Sequence, residues 1–196
     1  LQPLVFARVQ DRRPDLLQGQ ADPEGCSLVF HRLDFDMAVV TNITHEHLDI
    51  HGSLKAYRQA KARLFHHLDS GHRKPGVPKV AVLNADDDSY RYLHRIRADR
   101  QLAYSIEDPL VGTATGAGAA SVTATGLRRS ASDTRFAVQS PEVDFELQTV
   151  LVGDFNISNI LAATSVALAL GVPVEAIRQG VWDVKGIAGR MERVDE

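Results

Sequence analysis

The chain has 196 residues, 44% of them hydrophobic and 24% charged, with a formal net charge of -3; this is enough for one domain with a real core. A weakly acidic balance without basic runs or basic-aromatic interleaving excludes a nucleic-acid surface. Cys26 is the single cysteine, so neither an internal disulfide nor a cysteine zinc site is available, and a reducing, cytoplasmic compartment is expected.

Residues 1–33 include DRRPDLLQGQADPEG, which carries prolines and glycines and shows neither helical nor strand period. They are expected to form an irregular or truncated N-terminal part, with the folded domain over 34–196. Because it starts at Leu1 and stops at GRMERVDE, the chain reads as a piece excised from something longer. DMAVV (36–40) and KVAVLN (79–84) are short continuous apolar runs, the pattern of strands buried on both faces of a parallel sheet. Between them SLKAYRQAKARLFHHL sets Leu54, Tyr57, Lys61, Leu64, Phe65 and Leu68 at helical spacing, with Ser53 placed to cap. DDSYRYLHRIRADR predicts a second amphipathic helix, and LAYS (102–105) a further strand.

From 111 to 152 the character changes. A tract of small residues precedes TRFAVQ and VDFELQTVLVG, which alternate apolar and polar like an antiparallel ribbon. NISNILAATSVALALG then predicts an apolar helix stopped by Gly171; its run is too short and too rich in small residues to span a bilayer. PVEAIRQGVWDV starts a last helix with Pro173 near its first turn. The fold class is therefore α/β: a doubly wound, mostly parallel sheet flanked by helices, with a small antiparallel β appendage. Ligands of such sheets bind beyond the carboxyl ends of the strands.

At such an end stands TNITHEHLDIHG. If His45, His47 and His51 were all ligands they would make a transition-metal site, but their spacing matches no common zinc pattern, which favours one functional histidine and two solvated ones. Lys61 falls on the apolar stripe of its helix. Either its stem snorkels to water, or burial lowers the amine pKa so that the neutral form can add carbon dioxide and become a carbamate. A carbamate oxygen and one imidazole could then hold a magnesium ion. NADDD (84–88) is either a turn with a helix cap or a nucleotide-edge contact. GDFNISNILAA puts Asp154, Asn156 and Asn159 at a helix start, where at least one is expected to cap. Arg190 in GRMERV is either a phosphate fork or a surface charge.

In this order, FDMAVVTNITHEHLDIHGSLKAYRQAKARLF, VLNADD, GDFNISNILAA and GRMERV resemble the central, ATP-binding domain of the Mur ligases over about four-fifths of the chain. The nearest pattern is that of the members adding the third residue to UDP-N-acetylmuramoyl-L-alanyl-D-glutamate (UDP-MurNAc-L-Ala-D-Glu). The resemblance implies ATP and Mg2+ as cofactors, a UDP-MurNAc-peptide and an amino acid as partners, and an acyl phosphate between them. It further implies that Lys61 is the carbamylated lysine and His47 the magnesium-binding histidine. Asn42 would lie near the nucleotide phosphates, Asn156 and Asn159 beside the adenine with Asn84 as a neighbour, and Arg190 near the nucleotide.

The departures from the family pattern are specific. No G-x-x-G-K-S/T phosphate loop occurs in the 196 residues, and Glu24 in PEGCSL stands near the place of a metal-binding glutamate but out of register. The chain alone is accordingly expected to have little or no ligase activity. Two alternatives are a folylpolyglutamate or cyanophycin-type ligase and a non-catalytic paralogue that lost ATP binding.

Overall fold

A computed structural model describes residues 34–43, 54–106 and 119–186. Its strands are β1 (Met37–Val39), β2 (Val80–Asn84), β3 (Arg100–Ile106), β4 (Ala119–Arg129), β5 (Thr134–Gln139) and β6 (Phe145–Thr149), hydrogen-bonded in that order into one mixed sheet. β1 and β2 run parallel, with Ala38 opposite Ala81, whereas β4, β5 and β6 run antiparallel. The helices are α1 (Leu54–Ser70), α2 (Tyr90–Leu93), α3 (Asp154–Ala169) and α4 (Val174–Asp183). Among the described residues no helix is long and apolar enough to cross a membrane.

Contacts divide the chain into two compact units, Leu1–Leu83 with Asp87–Gln101, and Asn84–Asp86 with Leu102–Glu196. In the first, every residue of β1 and β2 is buried, as the unbroken apolar runs require. Tyr57, Leu64, Phe65 and Leu68 of α1 join Ala38, Val40, Ala81 and Leu83 in one core cluster. Each fully buried large side chain there contributes about 1.5–3 kcal/mol. The expected capping residue Ser53 lies outside the described residues.

The second amphipathic helix is a correction: α2 has four residues, not fourteen. The chain has to leave the helix early, because Asp99 accepts the Lys79 N–H at 2.7 Å and the Arg100 N–H donates to Lys79 O at 3.1 Å, drawing 99–100 into line with β2. Tertiary hydrogen bonds override a helical period whenever the alternative pairing satisfies the same backbone groups.

In the second unit the alternation read from sequence appears directly. Thr134, Phe136 and Val138 of β5 are buried with Phe145, Leu147 and Thr149 of β6, while Arg135 and Glu146 face water. α3 carries a long buried face including Ile157, Ile160 and Leu161. It ends in a Schellman motif: the Gly171 N–H reaches Leu168 O and the Val172 N–H reaches Ala167 O, both at 2.9 Å. Gly171 takes φ 69°, a left-handed conformation that explains glycine at the expected stop. α4 opens on Pro173, which occupies the N-cap.

Candidate functional site

In the first unit the site begins where β1 ends. There the Val40 N–H donates to Val82 O at 3.1 Å. The Thr41 hydroxyl then donates to Asn42 Oδ1 at 3.3 Å, which engages the oxygen of this half-buried asparagine rather than its NH2 group. The next residue, Ile43, donates its N–H to Asp87 Oδ2 at 3.1 Å. Asp87 Oδ1 accepts both the Ser89 N–H at 2.9 Å and the Ser89 hydroxyl. The turn reading of NADDD thus holds for Asp87, a residue to which the motif alone assigned no specific task.

Lys61 lies within the buried arc of α1, as its spacing indicated, but is itself half-buried. Its Nζ stands 5.3 Å from the centroid of the Tyr57 ring one turn earlier, in cation–π range. The lysine that burial singles out is a different one. Lys79 is 0% exposed, donating to Phe35 O and to Asp36 Oδ1, while Lys74 holds Asp36 Oδ2 at 2.6 Å. Burial pushes the Asp36 carboxyl up, but the hydrogen bonds and charges of Lys74 and Lys79 outweigh it and leave the group below its ordinary value. Both Asp36 and Lys79 precede their strands, so this ionic cluster sits at the end of β1 and β2 opposite to the one where such sheets bind ligands. It is structural.

In the second unit Asn84 Oδ1 accepts the Asp86 N–H at 2.9 Å, and its Nδ2 donates to Ser158 Oγ at 3.4 Å, tying the end of β2 to the start of α3. Ser158 was not singled out from sequence, although it stands between the two asparagines of GDFNISN. The N-cap of α3 is Gly153, which has no side chain to cap with, so the expected cap from Asp154, Asn156 or Asn159 is not at that position. Only glycine suits it: φ is 96°, and a Cβ would lie 2.7 Å from Phe155 Cε1. Asp154 instead pairs with Arg129 at 2.6 Å, an exposed contact of little energetic weight.

Asn156 is 6% exposed. Its Nδ2 donates back to Val152 O at 2.7 Å, and its Oδ1 is buried with no partner. An unmet buried acceptor costs about 1–3 kcal/mol, which marks a place for a donor. Asn159, one turn on, is half-buried. His45, His47, His51 and Arg190 lie outside the described residues; among those described, no group of three or more His, Cys, Asp or Glu side chains could hold a metal ion.

A family model described as the Mur ligase middle domain matches residues 25–167. The chain belongs to the Mur ligase family. This Mur ligase chain is 35% identical over 194 residues to the UDP-N-acetylmuramoyl-L-alanyl-D-glutamate--2,6-diaminopimelate ligase of Bacillus velezensis, covering 97% of the chain and 37% of that protein. It is 39% identical over 168 residues to the UDP-N-acetylmuramyl-tripeptide synthetase of Roseiflexus sp., covering 82% and 31%. A solved structure bearing the same name as the Bacillus protein aligns with TM-score 0.66 and 29% identity over 83% of the chain and 31% of its own. The chain thus spans roughly a third of the length of these Mur ligase relatives.

Proposed function

We propose that this chain is the middle, nucleotide-binding part of a ligase that adds the third amino acid to UDP-MurNAc-L-Ala-D-Glu in peptidoglycan synthesis, with residues 34–196 as the domain and 1–33 as an irregular lead-in. The nucleotide-binding part of the reading rests on the hydrogen-bond polarity left at two asparagines, each taken within its own unit. Asn42 has its oxygen engaged and keeps N–H donors, which suit phosphate oxygens. Asn156 has its NH2 group donating to Val152 and keeps a buried oxygen, which suits the amino group of adenine. Both fit ATP, and neither polarity could be read from the motif alone.

Asn159 and Asn84, through Ser158, would frame the base, and Arg190 would approach the phosphates. Lys61, as a carbamate, and His47 would hold Mg2+, which supplies charge neutralisation on the transferring phosphoryl group. The protein's own part is orientation: the substrate carboxylate is activated as an acyl phosphate, and the incoming amine displaces the phosphate. Lys61 suits this role by its place: it is half-buried on the helix that follows directly on the histidine stretch, with its Nζ 5.3 Å from the Tyr57 ring centroid.

The test is nucleotide binding by calorimetry on the full-length ligase. Asn156→Ala is expected to weaken ATP on the order of tenfold and to shrink the preference for ATP over GTP, because only the 6-amino base donates to Oδ1. Unchanged ATP affinity in both Asn156→Ala and Asn42→Ala would reject the site. For Lys61, a carbamate resonance under labelled bicarbonate should vanish in Lys61→Ala.

A further inference from the structure

We infer that Asp87 is a positioning residue that holds Asn42 in place for the nucleotide phosphates, an inference that rests on the phosphate role proposed above for Asn42. Asn42 sits between two buried residues, Thr41 and Ile43, so its own path is set by where those two are fixed. The strand ladder holds the chain up to Val40. Beyond it, the Ile43 N–H to Asp87 Oδ2 bond at 3.1 Å ties the backbone immediately after Asn42 to a residue 44 positions away. Thr41 and Asp87 therefore act on Asn42 differently: the Thr41 hydroxyl selects which way its amide faces, and the carboxylate fixes where its backbone stops.

The chemistry asks for a carboxylate. Three donors converge on Asp87, the Ile43 N–H on one oxygen and the Ser89 N–H and hydroxyl on the other. An ionised carboxylate accepts on both oxygens, whereas an asparagine of almost the same shape turns one of them into an NH2 that faces a donor. Ser89 is 1% exposed, so water does not easily replace its arm. Asp87→Asn thus keeps the volume and breaks one side of the clamp.

The experiment is a double-mutant cycle on the full-length ligase, read as KM for ATP against kcat, with deuterium exchange at the Ile43 amide as a second readout. Asp87→Asn and Asn42→Ala should each raise KM for ATP on the order of tenfold, and the double variant should be no worse than Asn42→Ala alone. Exchange at Ile43 should quicken while the Ala38 and Val82 amides stay protected. Additive penalties, or unchanged exchange at Ile43, overturn the positioning role while leaving the phosphate reading intact. An unchanged KM in Asn42→Ala removes the phosphate reading, and this inference with it. If Asp87→Asn does not fold, Ser89→Ala loses only the hydroxyl arm and should show the same non-additivity with Asn42→Ala at smaller amplitude; additivity there also overturns the role.

Discussion

Buried groups with an unmet hydrogen bond divide by what surrounds them, and α3 carries two of them. Asn156 Oδ1 lies at the helix start, where the proposed function gives it a donor; Thr164 Oγ1, 1% exposed, lies further along the same helix without a partner. A buried hydroxyl without a partner costs stability, so Thr164→Val should raise the unfolding free energy of the chain by about 1 kcal/mol. A urea titration checks this, and a lower midpoint at unchanged slope would contradict it. The residues of the proposed site were named from sequence, Asn156 from GDFNISN and Asn42 from TNI. Which end of each amide stays free was not, since it depends on Val152 O in one case and on the Thr41 hydroxyl in the other. The opposite lesson comes from lysine. Helical spacing drew attention to Lys61, but the fully buried amine is Lys79, accommodated by an aspartate 43 positions earlier in the chain. No local pattern announces such a pair.

Elements were most legible where one face or one stop signal decides them. α1 and α3 follow their apolar runs, and Gly171 closes α3 through its left-handed φ. Open space surrounds the position a Cβ would take there, so Gly171→Ala isolates the backbone cost. A loss of about 1 kcal/mol is expected, and thermal unfolding monitored by circular dichroism should register it as a lower midpoint. A neutral result would mean that the Schellman turn relaxes without penalty. α2 shows the limit of the method. Its sequence supports a longer helix, but Gln101 Nε2 caps Ile96 O at 2.6 Å and Asp99 is held by Arg73 and Lys79, so the chain turns into β3 instead.

At the scale of the whole molecule, ionic clamps and the absence of a phosphate-loop motif from the 196 residues each make a prediction. Asp36 lies below its ordinary value of 3.8 because Lys74 and Lys79 outweigh its burial, and Asp99 does so through the Lys79 N–H and the Arg73 guanidinium. A folded-state carboxyl depressed in this way binds fewer protons than its unfolded counterpart near pH 4. Its stabilisation is therefore present above the unfolded value of about 3.9 and is lost as pH falls through the lower folded value. Acid titration should show stability declining below about pH 4–5, and Asp36→Asn should flatten that decline while lowering stability at neutral pH. A decline unaltered by Asp36→Asn would sink the assignment. For activity, the 196 residues lack a G-x-x-G-K-S/T loop, whose backbone amides and lysine hold nucleotide phosphates. Phosphate release dependent on ATP and UDP-peptide should be absent from this chain alone; turnover near that of an intact ligase would contradict the expectation. By itself the sequence determined the fold class and the family and supplied the residues of the proposed site, because apolar periodicity and motif spacing are local properties of a chain. Tertiary structure alone decided that Asp87 reaches Ile43, that Lys79 is the buried cation, and which polarity each asparagine keeps, because hydrogen-bond partners are assigned by the folded backbone and not by neighbours in sequence.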